Sequence, residues 1–314
     1  LSDFELVREA AERIIKMEIR GAARIARFVA ETLMRFAETV DNNFDDEMKR
    51  ATEILLNTRP TAVSLYNSVN YVMLYSGEND KEKRESLIER AREFISWVDS
   101  AKERIGEIGA KRIRDNSTVM THCNSSAALS IIKRAFKHKN IEVFATESRP
   151  RYQGHLTVKE LRKEGIPVTL IVDSAVRYFI DEIDYVIVGA DAITVNGSLI
   201  NKIGTSQIAL CAKEARVPFM VAAETYKFSP KTLSGEIVII EERDPSEVAS
   251  PDILSTGVKI RNPAFDVTSR SFIDLIITEI GAIAPEMAYL IIKERLGYTL
   301  PSEDEIKLSP RHYD

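Results

Sequence analysis

The chain predicts an α/β protein: a helical N-terminal domain, then a Rossmann-like domain whose mostly parallel sheet is flanked by helices. Three observations carry this. Apolar residues recur at helical spacing up to about Arg114. From Ser117 onward, short β-type apolar runs alternate with helical patterns, which implies right-handed crossovers and parallel strands. Proline usage changes with the period: only Pro60 precedes Pro150, and ten of the eleven prolines lie at or beyond it.

In the first part, Phe4, Val7, Ala11, Ile14 and Ile15 mark one amphipathic face, and Leu87, Ala91, Phe94 and Ile95 another. Glu78 to Glu93 is dense in mixed charge and reads as a solvated helix face. The expected domains are 1–114 and 115–314. Strands are expected at Val119-Met120, Ile141 to Ala145, Val168 to Val172, Tyr185 to Val188, Phe219 to Ala222, Ile237 to Ile240 and Leu275 to Ile277. Helical patterns at Ala127 to Lys137 and Ser206 to Ala215 separate several of them. There is no internal repeat or low-complexity tract.

At 314 residues the chain can bury a sizeable core, and 44% hydrophobic with 29% charged residues describes a globular protein. The apolar runs fall short of the roughly 20 residues a membrane span needs. The chain opens on Leu1 with no charged-then-apolar leader, so the expectation is a trimmed cytoplasmic protein without a signal peptide. Net charge is −5, with no basic stripe, and no nucleic-acid partner is expected. Two cysteines, Cys123 and Cys211, make no disulfide framework, and the four histidines lack metal-ligand spacing. Neither a G-x-G-x-x-G run nor a Walker-type phosphate loop occurs, which disfavours nucleotide cofactors of those types.

Two segments about seventy residues apart carry the chemistry. The first, Thr118 to Ala128, reads TVMTHCNSSAA; the second, Tyr185 to Thr205, reads YVIVGADAITVNGSLINKIGT. Each starts as a buried strand and ends in small polar residues, the place where open α/β sheets bind ligands. Cys123 precedes a helix that begins near Asn124-Ser125-Ser126, where the dipole and free N–H groups favour a thiolate. Taken alone, a free cysteine reads more often as a small core residue, and Cys211 is left in that class. Asp191 reads equally as a turn cap or an acid. The Asn196-Gly197 turn then returns the chain to Asn201 and Lys202, so polar groups converge at one strand end. Gly204-Thr205-Ser206 opens the next helix and offers N–H groups and hydroxyls to a phosphate. Arg59 and Arg149 each precede a proline and sit on rigid corners suited to bidentate phosphate contacts.

The run GAD…NG…NKIGT, with Cys123 and Asp191, resembles the archaeal ribose-1,5-bisphosphate isomerases. Their wider family includes methylthioribose-1-phosphate isomerases and regulatory subunits of initiation factor 2B. The similarity runs from about Ile19 to Lys227 and more loosely beyond. It implies Cys123 as base and proton carrier and Asp191 as acid, with Arg20, Gly21, Arg59, Arg149, Gln153, Asn201, Lys202 and Lys227 around the substrate. His122 and His155 are expected to be structural. The implied reaction turns α-ribose 1,5-bisphosphate into ribulose 1,5-bisphosphate without a redox, nucleotide or metal cofactor. It requires a raised pKa at Asp191 and a lowered one at Cys123. The alternatives are methylthioribose-1-phosphate isomerisation and a non-catalytic regulatory subunit. The resemblance also implies a homo-oligomer, a dimer or a hexamer built of dimers. The THCNSSAA wording and the basic corner Arg149-Pro150-Arg151 favour the bisphosphate.

Overall fold

Helices fill the N-terminal third of the computed structural model, which describes residues 4–19, 21–59, 62–234 and 239–298. They are α1 (Phe4–Ile15), α2 (Ala22–Thr39), α3 (Phe44–Leu56), α4 (Val63–Met73) and α5 (Asp80–Ala110). The long α5 starts on two caps: Asn79 Oδ1 accepts from the Glu82 N–H at 3.0 Å, and the Glu82 carboxylate accepts from the Glu78 N–H at 2.8 Å. Its first half packs Leu87, Ala91, Phe94 and Val98 into a core with Val29, Leu33 and Phe36 of α2 and Leu65 of α4. Its second half leaves that core and places Ile105 and Ala110 against the sheet. Full burial of a large aliphatic or aromatic side chain contributes about 1.5–3 kcal/mol, so α5 is fixed from both ends.

The remaining elements are β1 (Ser117–Thr121), α6 (Ser126–Phe136), β2 (Ile141–Thr146), α7 (Gln153–Lys163), β3 (Val168–Ile171), α8 (Val176–Phe179), β4 (Tyr185–Val188), β5 (Ala192–Ile193), β6 (Leu199–Lys202), α9 (Thr205–Ala215), β7 (Phe219–Ala222), α10 (Pro251–Leu254), β8 (Phe265–Thr268), β9 (Leu275–Thr278), β10 (Gly281–Ile283) and α11 (Ala288–Leu296). The main sheet has the order β10-β9-β7-β4-β1-β2-β3. All its neighbours are parallel except β9 and β10. Residues from α5, α6 and α7 cover one face, and residues from α8, α9 and α11 cover the other. Buried on both faces, β4 and β7 are continuous apolar runs, as parallel strands require.

The chain winds from β1 outward to β3, then returns to β4 and proceeds the other way. The strand order therefore reverses between β1 and β4, which places the ligand crevice at their carboxyl ends. The fold class is the one expected from the sequence. Two features are not. A second, antiparallel sheet of order β5-β6-β8 stands beside the crevice. The run Ile237 to Ile240 lies partly outside the described residues, and its described half is no strand: Ile239 is 75% exposed. No helix among the described residues is long and apolar enough to cross a membrane.

Candidate active site

Cys123 lies just past β1 in a left-handed conformation, φ 64°, and Ser148 just past β2 does the same, φ 60°. Such backbone is unfavourable by about 1–2 kcal/mol for a residue with a side chain. Here neighbouring elements fix it. The Cys123 N–H donates to Ser148 Oγ at 2.8 Å, and Thr157 Oγ1 of α7 donates to the Cys123 carbonyl at 2.7 Å. The N–H groups of Ser148 and Arg149 both donate to Asp173, at 2.8 and 2.7 Å. The thiol is thus held by a lattice of hydrogen bonds rather than by a helix. The helix α6 starts only at Ser126, capped by Ser125 Oγ accepting from the Ala128 N–H at 3.3 Å.

The expected thiolate is not what this environment produces. Burial pushes the Cys123 thiol up to about 11. Lys202 and the Asn124 N–H pull it down, while Asp191 and Asp173 push it further up. Burial outweighs the cation because transferring a thiolate from water into protein is costly, and one ammonium does not repay it.

His122 is buried and both ring nitrogens are engaged. Nε2 lies 2.9 Å from the Ile203 carbonyl, which only accepts, so the ring proton sits on Nε2 and Nδ1 accepts from Thr146 Oγ1 at 2.6 Å. Burial lowers its pKa, and Lys202 adds to that against Asp173 and the Ile203 carbonyl. A neutral ring therefore ties the end of β1 to the turn after β6.

Asp191 follows β4, the strand beside β1. Its N–H donates to the Ile200 carbonyl at 2.9 Å, which joins the end of β4 to β6. Gly189 makes the approach possible, since any side chain there would collide with Ser125 at the start of α6. The Asp191 side chain makes no hydrogen bond or ion pair among the described residues. It keeps an exposed surface, yet burial among surrounding protein raises its pKa, as at the floor of a crevice. Lys227, Lys202, Arg59 and Arg243 oppose that rise, in that order. Water reaching the crevice tempers the burial effect; the direction stands.

Asn201 and Lys202 end β6, backed by β8, with Asn201 opposite Asp266 and Lys202 opposite Phe265. Asn201 Nδ2 donates to Thr205 Oγ1 at 3.0 Å, and Thr205 Oγ1 donates to the Lys202 carbonyl at 2.6 Å. Lys202 is only 6% exposed and pairs with no carboxylate among the described residues; its ammonium lies 5.2 Å from the centre of the Phe265 ring. A buried cation held by an aromatic face alone is a ready anion partner.

The start of α9 is not one. Asp266 accepts from the N–H of Gly204 at 2.8 Å and from that of Ser206 at 3.1 Å. The Gly204-Thr205-Ser206 turn, expected to hold a phosphate, already holds a carboxylate of the protein. Burial pushes that carboxyl up to about 6 against the pull of the two N–H groups.

Lys227 sits in the turn 225–227, in the seam between helices and sheet. Asn67 of α4 donates to the carbonyls of Tyr226 and Phe228 at 2.9 and 2.7 Å. Buried Glu279 accepts from the Thr225 N–H and from Trp97 Nε1 of α5. The Lys227 ammonium lies 2.7 Å from Glu224, itself 1% exposed.

The other expected contacts divide. Arg59 approaches Glu241 at 3.8 Å and acts on Asp191. Gln153 opens α7, with its Oε1 buried and without a partner. Gly21 precedes α2, φ 87°, and no side chain caps that helix start. Arg20 lies outside the described residues. Arg149 is turned to local work: its guanidinium donates to Tyr152 Oη at 2.8 Å and to the Val248 carbonyl at 3.2 Å. Arg151 similarly faces Glu247 at 3.6 Å. Arg243 was not foreseen; in the run Glu241-Glu242-Arg243-Asp244 it reads as one more surface charge.

A strand-order switch with a thiol, a carboxyl and converging cations at its mouth marks a candidate site for an anionic small molecule. The model of the initiation factor 2 subunit family matches residues 18–285, and the chain belongs to that family. It is 72% identical over 313 residues, covering 99% of this chain and 100% of the relative, to ribose 1,5-bisphosphate isomerase of Archaeoglobus fulgidus. It is 41% identical to methylthioribose-1-phosphate isomerase of Acetivibrio thermocellus, over 88% of each chain. A crystal structure of translation initiation factor eIF-2B from Pyrococcus horikoshii superposes with a TM-score of 0.77 at 36% identity, over 89% of this chain and 97% of that one.

Proposed function

We propose that this protein is a sugar-phosphate isomerase that converts α-ribose 1,5-bisphosphate into ribulose 1,5-bisphosphate. The observation that carries the reading is that Cys123 and Asp191 follow adjacent strand ends at the switch point, with Lys202 acting on both and Lys227, Arg59 and Arg243 acting on Asp191. The phosphate on carbon 1 prevents spontaneous opening of the sugar ring. Asp191 donates a proton to the ring oxygen as the ring opens. Cys123 takes the proton from carbon 2, giving an enol phosphate, and returns it to carbon 1 while the 2-hydroxyl proton passes to the Asp191 carboxylate, which leaves the ketone and restores both groups.

The two roles support each other electrostatically. The charge of Asp191 is one cause of the raised Cys123 pKa. A proton on Asp191 removes that charge and so eases ionisation of the thiol. The form with Asp191 neutral and Cys123 ionised thus gains from each half of its own protonation pattern. Arg20, Gly21, Arg59, Gln153, Asn201, Lys202 and Lys227 are assigned to substrate binding. The number of cations favours two phosphates over one phosphate and a thioether.

The same reading carries a homo-oligomer working in the cytoplasm. The deciding experiment is to incubate the purified protein with ribose 1,5-bisphosphate and with methylthioribose 1-phosphate at equal ionic strength and to follow ketose formation. Preferred turnover of the bisphosphate, by orders of magnitude, is expected. Comparable efficiency on the thioether substrate overturns the bisphosphate assignment, and no turnover of either overturns the isomerase.

A further inference from the structure

The turn 202–206 is tied into β8 and into itself. The Ile203 N–H donates to the Ala264 carbonyl at 3.1 Å, and the Lys202 carbonyl accepts from Thr205 Oγ1 at 2.6 Å. Asp266 holds the N–H groups of Gly204 and Ser206, so the turn is a rigid platform. His122 docks on it. Its Nε2 donates to the Ile203 carbonyl at 2.9 Å. The ring comes this close because Gly204 carries no side chain; a Cβ there would stand 3.3 Å from His122 Cε1. At the ring's other edge Nδ1 accepts from Thr146 Oγ1, 2.6 Å away at the end of β2. His122 and Thr146 are 1% and 0% exposed, so water does not compete for either bond.

Cys123, the next residue, is held from one side. Its N–H donates to Ser148 Oγ just past β2, and its carbonyl accepts from Thr157 of α7. Both hydroxyls belong to the part of the sheet beyond β2, whereas Lys202 belongs to the β6 side. The His122 ring joins the two.

We propose that His122 is a positioning residue for the isomerisation: bonded to Thr146 on one side and to the Ile203 carbonyl on the other, it fixes where the Cys123 thiol stands relative to Lys202. The inference rests on the isomerase reading above. The ring moves no proton, because Nε2–H is committed to a carbonyl and Nδ1 to a hydroxyl. Both bonds require one tautomer. With the proton on Nδ1 instead, Nε2 would meet the carbonyl lone pair to lone pair, so the Thr146 hydroxyl selects the form of the ring that can dock. Lys202 is seated by β8 without help from the ring, so loss of the bridge displaces the thiol and not the ammonium. The effect therefore falls on kcat more than on KM.

The test compares full-length wild type with His122→Gln, His122→Asn, Thr146→Val and the double variant His122→Asn/Thr146→Val. The glutamine amide reaches the Ile203 carbonyl as Nε2 does; the asparagine amide stops short. Measured are kcat and KM on ribose 1,5-bisphosphate, the midpoint of urea unfolding, and the rate at which iodoacetamide alkylates Cys123 at one fixed pH in a Cys211→Ser background. His122→Asn and Thr146→Val should each lower kcat about 100-fold with KM within about threefold, the scale of effect that a 1 Å misplacement produces. His122→Gln should stay within about tenfold of wild type, since the docking bond survives. The double variant should lose no more than the worse single one, because either substitution alone breaks the bridge. A loosened Cys123 admits the reagent, so both single variants should alkylate at least about threefold faster than wild type. Wild-type kcat in either folded single variant, whatever its urea midpoint, leaves His122 with a structural role only and overturns the proposal. Equal losses in the glutamine and asparagine variants, or a double-variant loss equal to the product of the single ones, overturn it too. Should His122→Asn fail to fold, Thr146→Val and His122→Gln decide by the same readings. If wild type turns over no sugar phosphate, the isomerase reading falls and alkylation alone judges the bridge: an unchanged or slower rate in either single variant overturns it.

Discussion

Asp266 accepts the backbone N–H of Gly204 at 2.8 Å and thereby closes, from β8, the start of α9. The carboxylate that does this is expensive to keep charged. Its pKa is raised to about 6 by burial, against about 3.9 for an unfolded aspartate. Between those values the folded protein binds the proton more readily than the unfolded one. This group's contribution to stability therefore improves as pH falls from about 6 toward about 4 and is least favourable above 6.

Asp266→Ala is expected to lower stability by about 1–2 kcal/mol, the usual effect of losing a helix cap, since both N–H groups lose their acceptor. Urea unfolding read at several pH values is the measurement. The variant should also lack the wild-type gain between pH 6 and pH 4, and a wild-type-like pH profile in it would remove Asp266 as the source.

The Cys123 thiol, pushed up to about 11, should alkylate slowly at neutral pH. In a Cys211→Ser background, the iodoacetamide rate should rise about tenfold per pH unit until near pH 11, because only the thiolate reacts. A plateau below pH 8.5 would mean that the empty site holds a thiolate after all.

Cys123→Ser and Asp191→Asn should each reduce isomerisation by at least ~100-fold while the protein remains folded. Turnover near the wild-type rate in either folded variant removes that residue from the chemistry.

Lys227→Ala should lose stability as well as substrate affinity. Its removal leaves Glu224 buried and unpaired, which destabilises by about 3–5 kcal/mol where the partner charge stays. Adding Glu224→Gln should recover much of the stability but not the affinity. Full recovery of binding in the double variant would show that Lys227 serves the fold alone.

Arg149→Ala should leave KM for the bisphosphate within about twofold, because its guanidinium is engaged by Tyr152 and the Val248 carbonyl and surface contacts of this kind matter locally. A tenfold rise in KM would return Arg149 to the substrate.

The strand ends that carry Cys123 and Asp191 are legible in the sequence because strands buried on both faces leave unbroken apolar runs, and the polar residues after them stand out. Lys202 is legible because the Asn196-Gly197 turn returns the chain to the same strand end. The short strands β6 and β8 are not, since their pairing joins residues some sixty positions apart and no local pattern announces it. Hence the helix start at Gly204 reads as vacant, when the carboxylate that fills it lies 62 residues away. The protonation of Cys123 is hidden likewise: the helix that follows is local, but burial is a property of the assembled protein. Arg243 escapes notice because Asp191, on which it acts, lies far from it in the sequence.

The ladder between β6 and β8 also sets when the end of β6 is completed. A nascent chain that has just released β7 already holds the strands beneath Cys123 and Asp191, and these are parallel neighbours of each other. It does not yet hold Asp266 or Phe265, so the turn after Lys202 is uncapped and the ammonium has no ring to rest on. The seating of Lys202 therefore waits on the translation of β8, well after Cys123 and Asp191 have emerged. A polypeptide cut short before Phe265 would carry Cys123 and Asp191 and still lack a seated Lys202.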